Sequence, residues 1–160
     1  MERRFQLEWD DQELAQAFKV TTADIREYLT DGRRVSFIIE RRLKWEHPGW
    51  DLAPTEGAGY DLLDPEGGRW EVRSITKDGV YFNPSNQVGK GRKFNEQGFR
   101  AKLAGVKGFI LSDIVTFPVV DVYVVPVSNI IRWHNAKQLG ANCKVSRKKF
   151  LTTLSKEIQF

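Results

Sequence analysis

Two carboxylates and a cation are spaced across one tight turn: Asp61, Glu71 and Arg73. They lie in the stretch Gly-Tyr-Asp-Leu-Leu-Asp-Pro-Glu-Gly-Gly-Arg-Trp-Glu-Val-Arg-Ser, residues 59–74. The Asp-Pro-Glu-Gly-Gly turn at 64–68 separates two short, mostly apolar runs, 60–63 and 70–76, which is the pattern of a β-hairpin. Asp61 belongs to the first strand and Glu71 to the second. Residues two apart on a strand face the same way, so Glu71 and Arg73 project from one face. Two carboxylates and a cation on one face make a costly default core, because of repulsion and desolvation. Hard oxygen ligands that converge in this way suit Mg²⁺, which takes one or two carboxylates and keeps several waters. The same residues can instead form a structural ion cluster, with Arg73 pairing Glu71 or Asp61.

The chemistry open to a metal held there is phosphodiester hydrolysis. Bound by Asp61 and Glu71, it lowers the pKa of the attacking water and neutralises charge building on the phosphate. A carboxylate alone would repel that phosphate. The charge distribution fits such a substrate. Residues 1–85 carry 12 Lys/Arg against 17 Asp/Glu, whereas residues 86–160 carry 13 against 4. A basic half gathers phosphate and an acidic cluster holds the metal. The plainer alternative is a solvated basic surface without a ligand.

The elements that must position these groups follow from the hydrophobic pattern. Asp10 to Glu13 opens a helix over 10–19, and Thr21 or Thr22 caps a second over 22–29, with Asp24 in its first turn. Asp31-Gly32 breaks it. Val35, Ile38, Ile39 and Leu43 recur at helical spacing over 33–45, until His47-Pro48-Gly49. The first forty-five residues therefore read as helical, and 46–58 as a loop rich in Pro and Gly. After the hairpin come a short strand at 79–83, a loop over 84–93 and a helix over 94–103 carrying Arg100 and Lys102. The runs 108–115 and 119–127 are β-branched and nearly continuous, as in strands covered on both faces. A short helix at 128–133 and a basic helix at 146–156 close the chain. Helices, a block of strands, then helices predict an α/β or α+β architecture, a central mixed sheet flanked by helices, in a single domain over 1–160.

The segment 57–77 resembles the catalytic core of the PD-(D/E)xK nucleases, within them the type II restriction endonucleases. Their pattern of Gly-x-Asp, a turn, then Glu-x-Lys-Ser-Ile is matched by Gly59, Asp61, Glu71, Arg73, Ser74 and Ile75, with the same Asp-to-Glu spacing. The likeness is looser, at the level of element order, over 33–127. It implies a restriction-endonuclease-like fold and a Mg²⁺-dependent, sequence-specific endonuclease of double-stranded DNA, in which Mn²⁺ substitutes for Mg²⁺. It also implies catalytic roles for Asp61, Glu71, Arg73 and Glu40, and a metal held by Asp61, Glu71, Val72 and Glu40. Glu40 enters because such enzymes often bring an acidic residue from the helix before the hairpin; the alternative is a surface glutamate beside Arg41 and Arg42.

The chain departs from that pattern twice. Tyr60, not proline, precedes Asp61. Arg73 stands where the family has lysine; arginine keeps its proton near neutral pH, so it can orient water and stabilise charge but not act as a general base. Lys77 is a further cation that can compensate in part. The alternative function is a catalytically weakened or inactive nucleic-acid-binding module.

Ser85, Asn86, Gln87, Lys90, Arg92 and Lys93 in the loop, with Arg100 on the helix behind it, are the DNA-facing candidates. Cations attract phosphate, and the amides and hydroxyl can meet base edges. Gly89 and Gly91 do not complete a phosphate-binding P-loop. His47 and His134 have no partner at ligand or triad spacing. Trp45, Trp50, Trp70 and Phe82 read as packing. Cys143 is the only cysteine, which excludes an intramolecular disulfide and predicts a reducing, cytoplasmic setting. No run reaches the length of a transmembrane helix, and Met-Glu-Arg-Arg-Phe does not resemble a signal peptide. A duplex break needs two active sites, so the expected assembly is a homodimer or a heterodimer with a larger specificity subunit.

Overall fold

Asp10 and Thr21 begin the first two helices as their types predict. In the computed structural model, which describes residues 2–55, 57–87 and 93–160 apart from the side chains of Arg33 and Arg34, Asp10 Oδ1 accepts from the N–H groups of Gln12 and Glu13. Thr21 and Asp24 form a reciprocal capping box. The elements run β1 (Arg4–Glu8), α1 (Asp11–Phe18), α2 (Thr22–Leu29), α3 (Gly32–Glu46), β2 (Asp51–Leu52), β3 (Leu62–Leu63), β4 (Arg69–Ile75), β5 (Val80–Tyr81), α4 (Glu96–Ala104), β6 (Gly108–Asp113), β7 (Val119–Pro126), α5 (Val127–Asn135), β8 (Lys144–Val145) and α6 (Arg147–Thr152).

Six strands form one mixed sheet in the order β1-β7-β6-β4-β3-β2. Only β4 and β6 pair in parallel, from Trp70↔Gly108 to Ile75↔Asp113. The connection between them carries α4, as a parallel crossover requires. Alternation along the strands divides the core. Trp70, Val72, Ile110, Val122 and Val124 pack under α1, α2 and α3. Ile75, Phe109, Leu111, Tyr123 and Val125 pack under α4, α5 and α6. Every residue of β6 is buried, as its continuous apolar run predicts. The chain is thus a mixed α/β protein. Among the described residues, no helix is long and apolar enough to cross a membrane.

Three strands escape the sequence reading. Arg4–Glu8, expected within a helical N-terminal part, is the edge strand β1. Its inward Leu7 is buried while Arg4 and Gln6 both bond Asp121 on the neighbouring β7, a two-residue period too short to stand out. β2 lies in the stretch read as loop. β8 was not anticipated, and it takes β5 into a separate two-stranded sheet rather than the main one.

The hairpin turn has a single organiser. Asp64 is buried; its Oδ1 accepts from Gly68 N–H at 2.6 Å and its Oδ2 from Trp70 Nε1 at 2.9 Å and Lys107 Nζ at 2.8 Å. Gly67 adopts φ 80°, and a Cβ at Gly68 would stand 2.4 Å from Asp64 Oδ2. The two glycines are therefore what lets the chain close around this carboxylate.

Candidate active site

β4 carries two of the predicted groups, and its face selection explains their meeting. Trp70 and Val72 point to the α1–α3 side, so Glu71 and Arg73 point to the α4 side, registered beside Phe109 and Leu111 of β6. Glu71 is buried. Its Oε1 accepts from Arg73 Nη2 at 2.6 Å, and its Oε2 from Lys102 Nζ of α4. Lys102 also donates to the Gly59 carbonyl at 2.7 Å, and Arg73 Nη2 makes a long bond of 3.4 Å to the Asn83 carbonyl.

Asp61 arrives from the other side of the turn. It sits in a bend just before β3, with its N–H bonded to the Trp70 carbonyl and its own carbonyl accepting from Ala53. Its Oδ2 accepts from the Val72 N–H at 2.7 Å. The N–H and C=O of a strand residue leave the same edge, so the Val72 carbonyl also faces the Asp61 side. Burial and the neighbouring charge of Glu71 push the Asp61 carboxyl up to about 6, against the opposing pull of the Val72 N–H, Arg73 and Lys102. Asp61, Glu71, Arg73 and Val72 therefore do converge.

Glu40 joins them less closely. It projects from α3 into a cleft of about 290 Å³ whose walls include Ser36, Phe37, Arg41, Ala53, Tyr60 and Asp61. Glu40 and Asp61 face one space, but no group of three or more His, Cys, Asp or Glu side chains among the described residues is close enough to hold a metal. A three-carboxylate cage is absent there. Asp61 and Glu71 are two oxygen donors of the kind a Mg²⁺ ion takes together with water, and both Glu71 oxygens are paired here with Arg73 and Lys102. Arg73 Nε is buried with no hydrogen-bond partner among the described residues.

Lys102 is the residue that sequence reasoning missed. The predicted substitute, Lys77, lies beyond the end of β4 in the exposed turn between Thr76 and Gly79, away from the acid pair. The only available signal was a cation one position before buried Leu103 on α4.

The DNA-facing candidates divide. Ser85 and Asn86 are exposed in a 3-10 turn, and Lys93 is exposed. Arg100 is exposed and paired with Glu96 at 2.7 Å. Gln87 turns inward: it is buried, and its Oε1 accepts from Asn95 N–H at 3.1 Å, bracing the start of α4. Lys90 and Arg92 lie outside the described residues. Trp45, expected to pack, is 82% exposed, whereas Trp50 packs against Trp70 with ring centroids 5.8 Å apart at a tilt of 46°. His134 has partners after all, lying 3.1 Å from both Glu96 carboxylate oxygens and 3.7 Å from Cys143 Sγ. Burial and Glu96 push that thiol up to about 11, so it is no nucleophile at neutral pH.

No protein-family model matches the chain, and neither does any curated protein or solved structure.

Proposed function

We propose that the chain is a Mg²⁺-dependent endonuclease of double-stranded DNA with a restriction-endonuclease-like core, in which Mn²⁺ can replace Mg²⁺. One observation carries this reading. Asp61, which lines the cleft beside α3, is hydrogen-bonded to the main chain of Val72, the residue between Glu71 and Arg73, so it is tied to the strand that carries the second acid and the cation. The mixed sheet with its parallel β4–β6 pair supports the same reading, as does the basic character of residues 86–160.

In this reading Asp61, Glu71 and the Val72 carbonyl hold the cation, which supplies water activation and charge neutralisation when bound. Arg73 faces the phosphate. It stays protonated, so it contributes charge and donors rather than proton abstraction, and its Nε, which has no partner among the described residues, can donate to a phosphate or water oxygen. Glu40 flanks the cleft and orients solvent. Ser85, Asn86, Lys93 and Arg100 meet the duplex. One chain offers one such corner, so a duplex break calls for a homodimer or a larger specificity subunit.

A second reading has its own observation. Both oxygens of Glu71 are already paired with cations, as in a nucleic-acid-binding module that no longer cleaves. Incubation with supercoiled plasmid and Mg²⁺ or Mn²⁺ separates the two. Linear fragments that vanish in Asp61→Asn and Glu71→Gln support the endonuclease. Tight DNA binding without cleavage under either metal supports the binding module.

A further inference from the structure

Each oxygen of the buried Glu71 carboxylate is taken by a different cation, Oε1 by Arg73 and Oε2 by Lys102. A divalent cation that ligates that carboxylate must share an oxygen with one of these cations, against their mutual repulsion, or displace it. The two partners are not equally fixed. Arg73 grows from the same strand as Glu71 and is also bonded to the Asn83 carbonyl. Lys102 reaches in from the last turn of α4 on a flexible four-carbon stem. Its second bond is to the Gly59 carbonyl, two residues before Asp61. Lys102 is the cation that can leave Glu71 and still remain at the corner.

Resting on the nuclease reading above, we propose that Lys102 is an exchangeable counter-ion: it neutralises Glu71 before the divalent cation binds, and on exchange it passes to a phosphate of the bound DNA. The buried carboxylate is then compensated at every stage, which avoids the cost of leaving it bare. The released ammonium keeps the Gly59 carbonyl as a tether and meets a phosphate that arrives with the substrate. This assigns to α4 the cation that the strand position of Arg73 does not supply in mobile form.

The test measures Mn²⁺ binding to the full chain without DNA, by isothermal titration calorimetry at about pH 8. Lys102→Met keeps the stem and deletes the charge. It should bind Mn²⁺ roughly tenfold more tightly than wild type, and Lys102→Arg should stay near wild type. At saturating Mn²⁺ the methionine variant should nevertheless cut supercoiled plasmid at least about tenfold more slowly. Tighter metal together with slower cleavage is a pairing that a merely structural lysine does not produce.

Unchanged or weaker Mn²⁺ binding in Lys102→Met overturns the exchange, and undiminished cleavage overturns the passage to phosphate. Should that variant not fold, the wild-type protein carries the test. Acetylation of Lys102 by an N-hydroxysuccinimide ester, mapped by mass spectrometry against the exposed Lys148, should speed severalfold on adding Mg²⁺. Equal labelling with and without Mg²⁺ overturns the proposal. A wild-type chain that neither binds Mn²⁺ nor cuts DNA removes the nuclease reading and the exchange together. One that does both, with an unaltered affinity in Lys102→Met, removes the exchange alone.

Discussion

The Val72 N–H donates to Asp61 Oδ2 at 2.7 Å, and this bond ties the first acid of the corner to the strand that carries the second. It also favours the charged form of Asp61, yet burial and Glu71 outweigh it and hold the carboxyl near 6. A raised carboxyl costs stability once it ionises. The folded chain binds this proton more tightly than the unfolded chain, so the contribution of Asp61 to stability is greatest below about pH 4 and declines as pH rises through about 6. Asp61→Asn, measured with EDTA, should therefore be neutral near pH 4 and stabilising by about 2 kcal/mol near pH 8. Calorimetric melting at the two pH values checks it. A variant less stable than wild type at the higher pH contradicts the assignment.

Arg73→Lys keeps the positive charge beside Glu71 and removes a buried donor that has no partner among the described residues. An orphan donor of this kind costs about 1–3 kcal/mol, so the change should not lower the melting temperature. Cleavage of plasmid should be maintained or raised, since lysine can also exchange a proton. Complete loss of cleavage with an intact fold would mean that the planar guanidinium has its own role.

Arg147 is predicted to matter for stability rather than for DNA. It grips Asp113 through Nε and Nη2 at 2.7–3.1 Å, and Asp113 is only 1% exposed at the end of β6. Arg147→Ala strands that carboxylate, and a loss of about 3 kcal/mol is expected in urea melts. DNA affinity should fall far less than for a phosphate contact. Lys148→Ala, at an exposed neighbouring position, should leave stability within about 0.5 kcal/mol.

Asp64 gives the acid limb. Burial alone would raise its carboxyl, but donors from Lys107, Trp70 and Gly68 prevail and hold it down to about 2. The folded value lies below the unfolded one, so its stabilisation is present above about pH 4 and is lost as pH falls through about 2. Asp64→Asn should cost about 2 kcal/mol at neutral pH and nearly nothing near pH 2. A destabilisation that does not depend on pH would show that the turn geometry, not the charge, supplies the effect.

How much of this was legible in the sequence depends on how local each signal is. The caps at Asp10 and Thr21, the apolar runs that become β6 and β7, and the hairpin turn at Asp64 are all set by neighbours a few residues away. Glu71 and Arg73 could be placed on one face because two residues of strand suffice to say so. Lys102 could not, because its partner lies 31 residues earlier on another element. Arg100 was the plausible choice on that helix. Two helical residues turn the side chain by roughly 200°, however, which sends Arg100 to solvent with Glu96 and Lys102 towards the sheet. β1 and β8 were hidden for a related reason: short strands owe their existence to distant partners on β7 and β5.

Glu71, Arg73 and Lys102 all ride on β4 and α4, which lie in one parallel crossover completed by β6. Unzipping β4 from β6 would scatter these charges together, whereas peeling the outer strand β1 from β7 would leave them untouched. Amide protons of Glu71, Arg73 and Leu111 should accordingly exchange with deuterium as one slow set, behind those of Phe5 and Leu7.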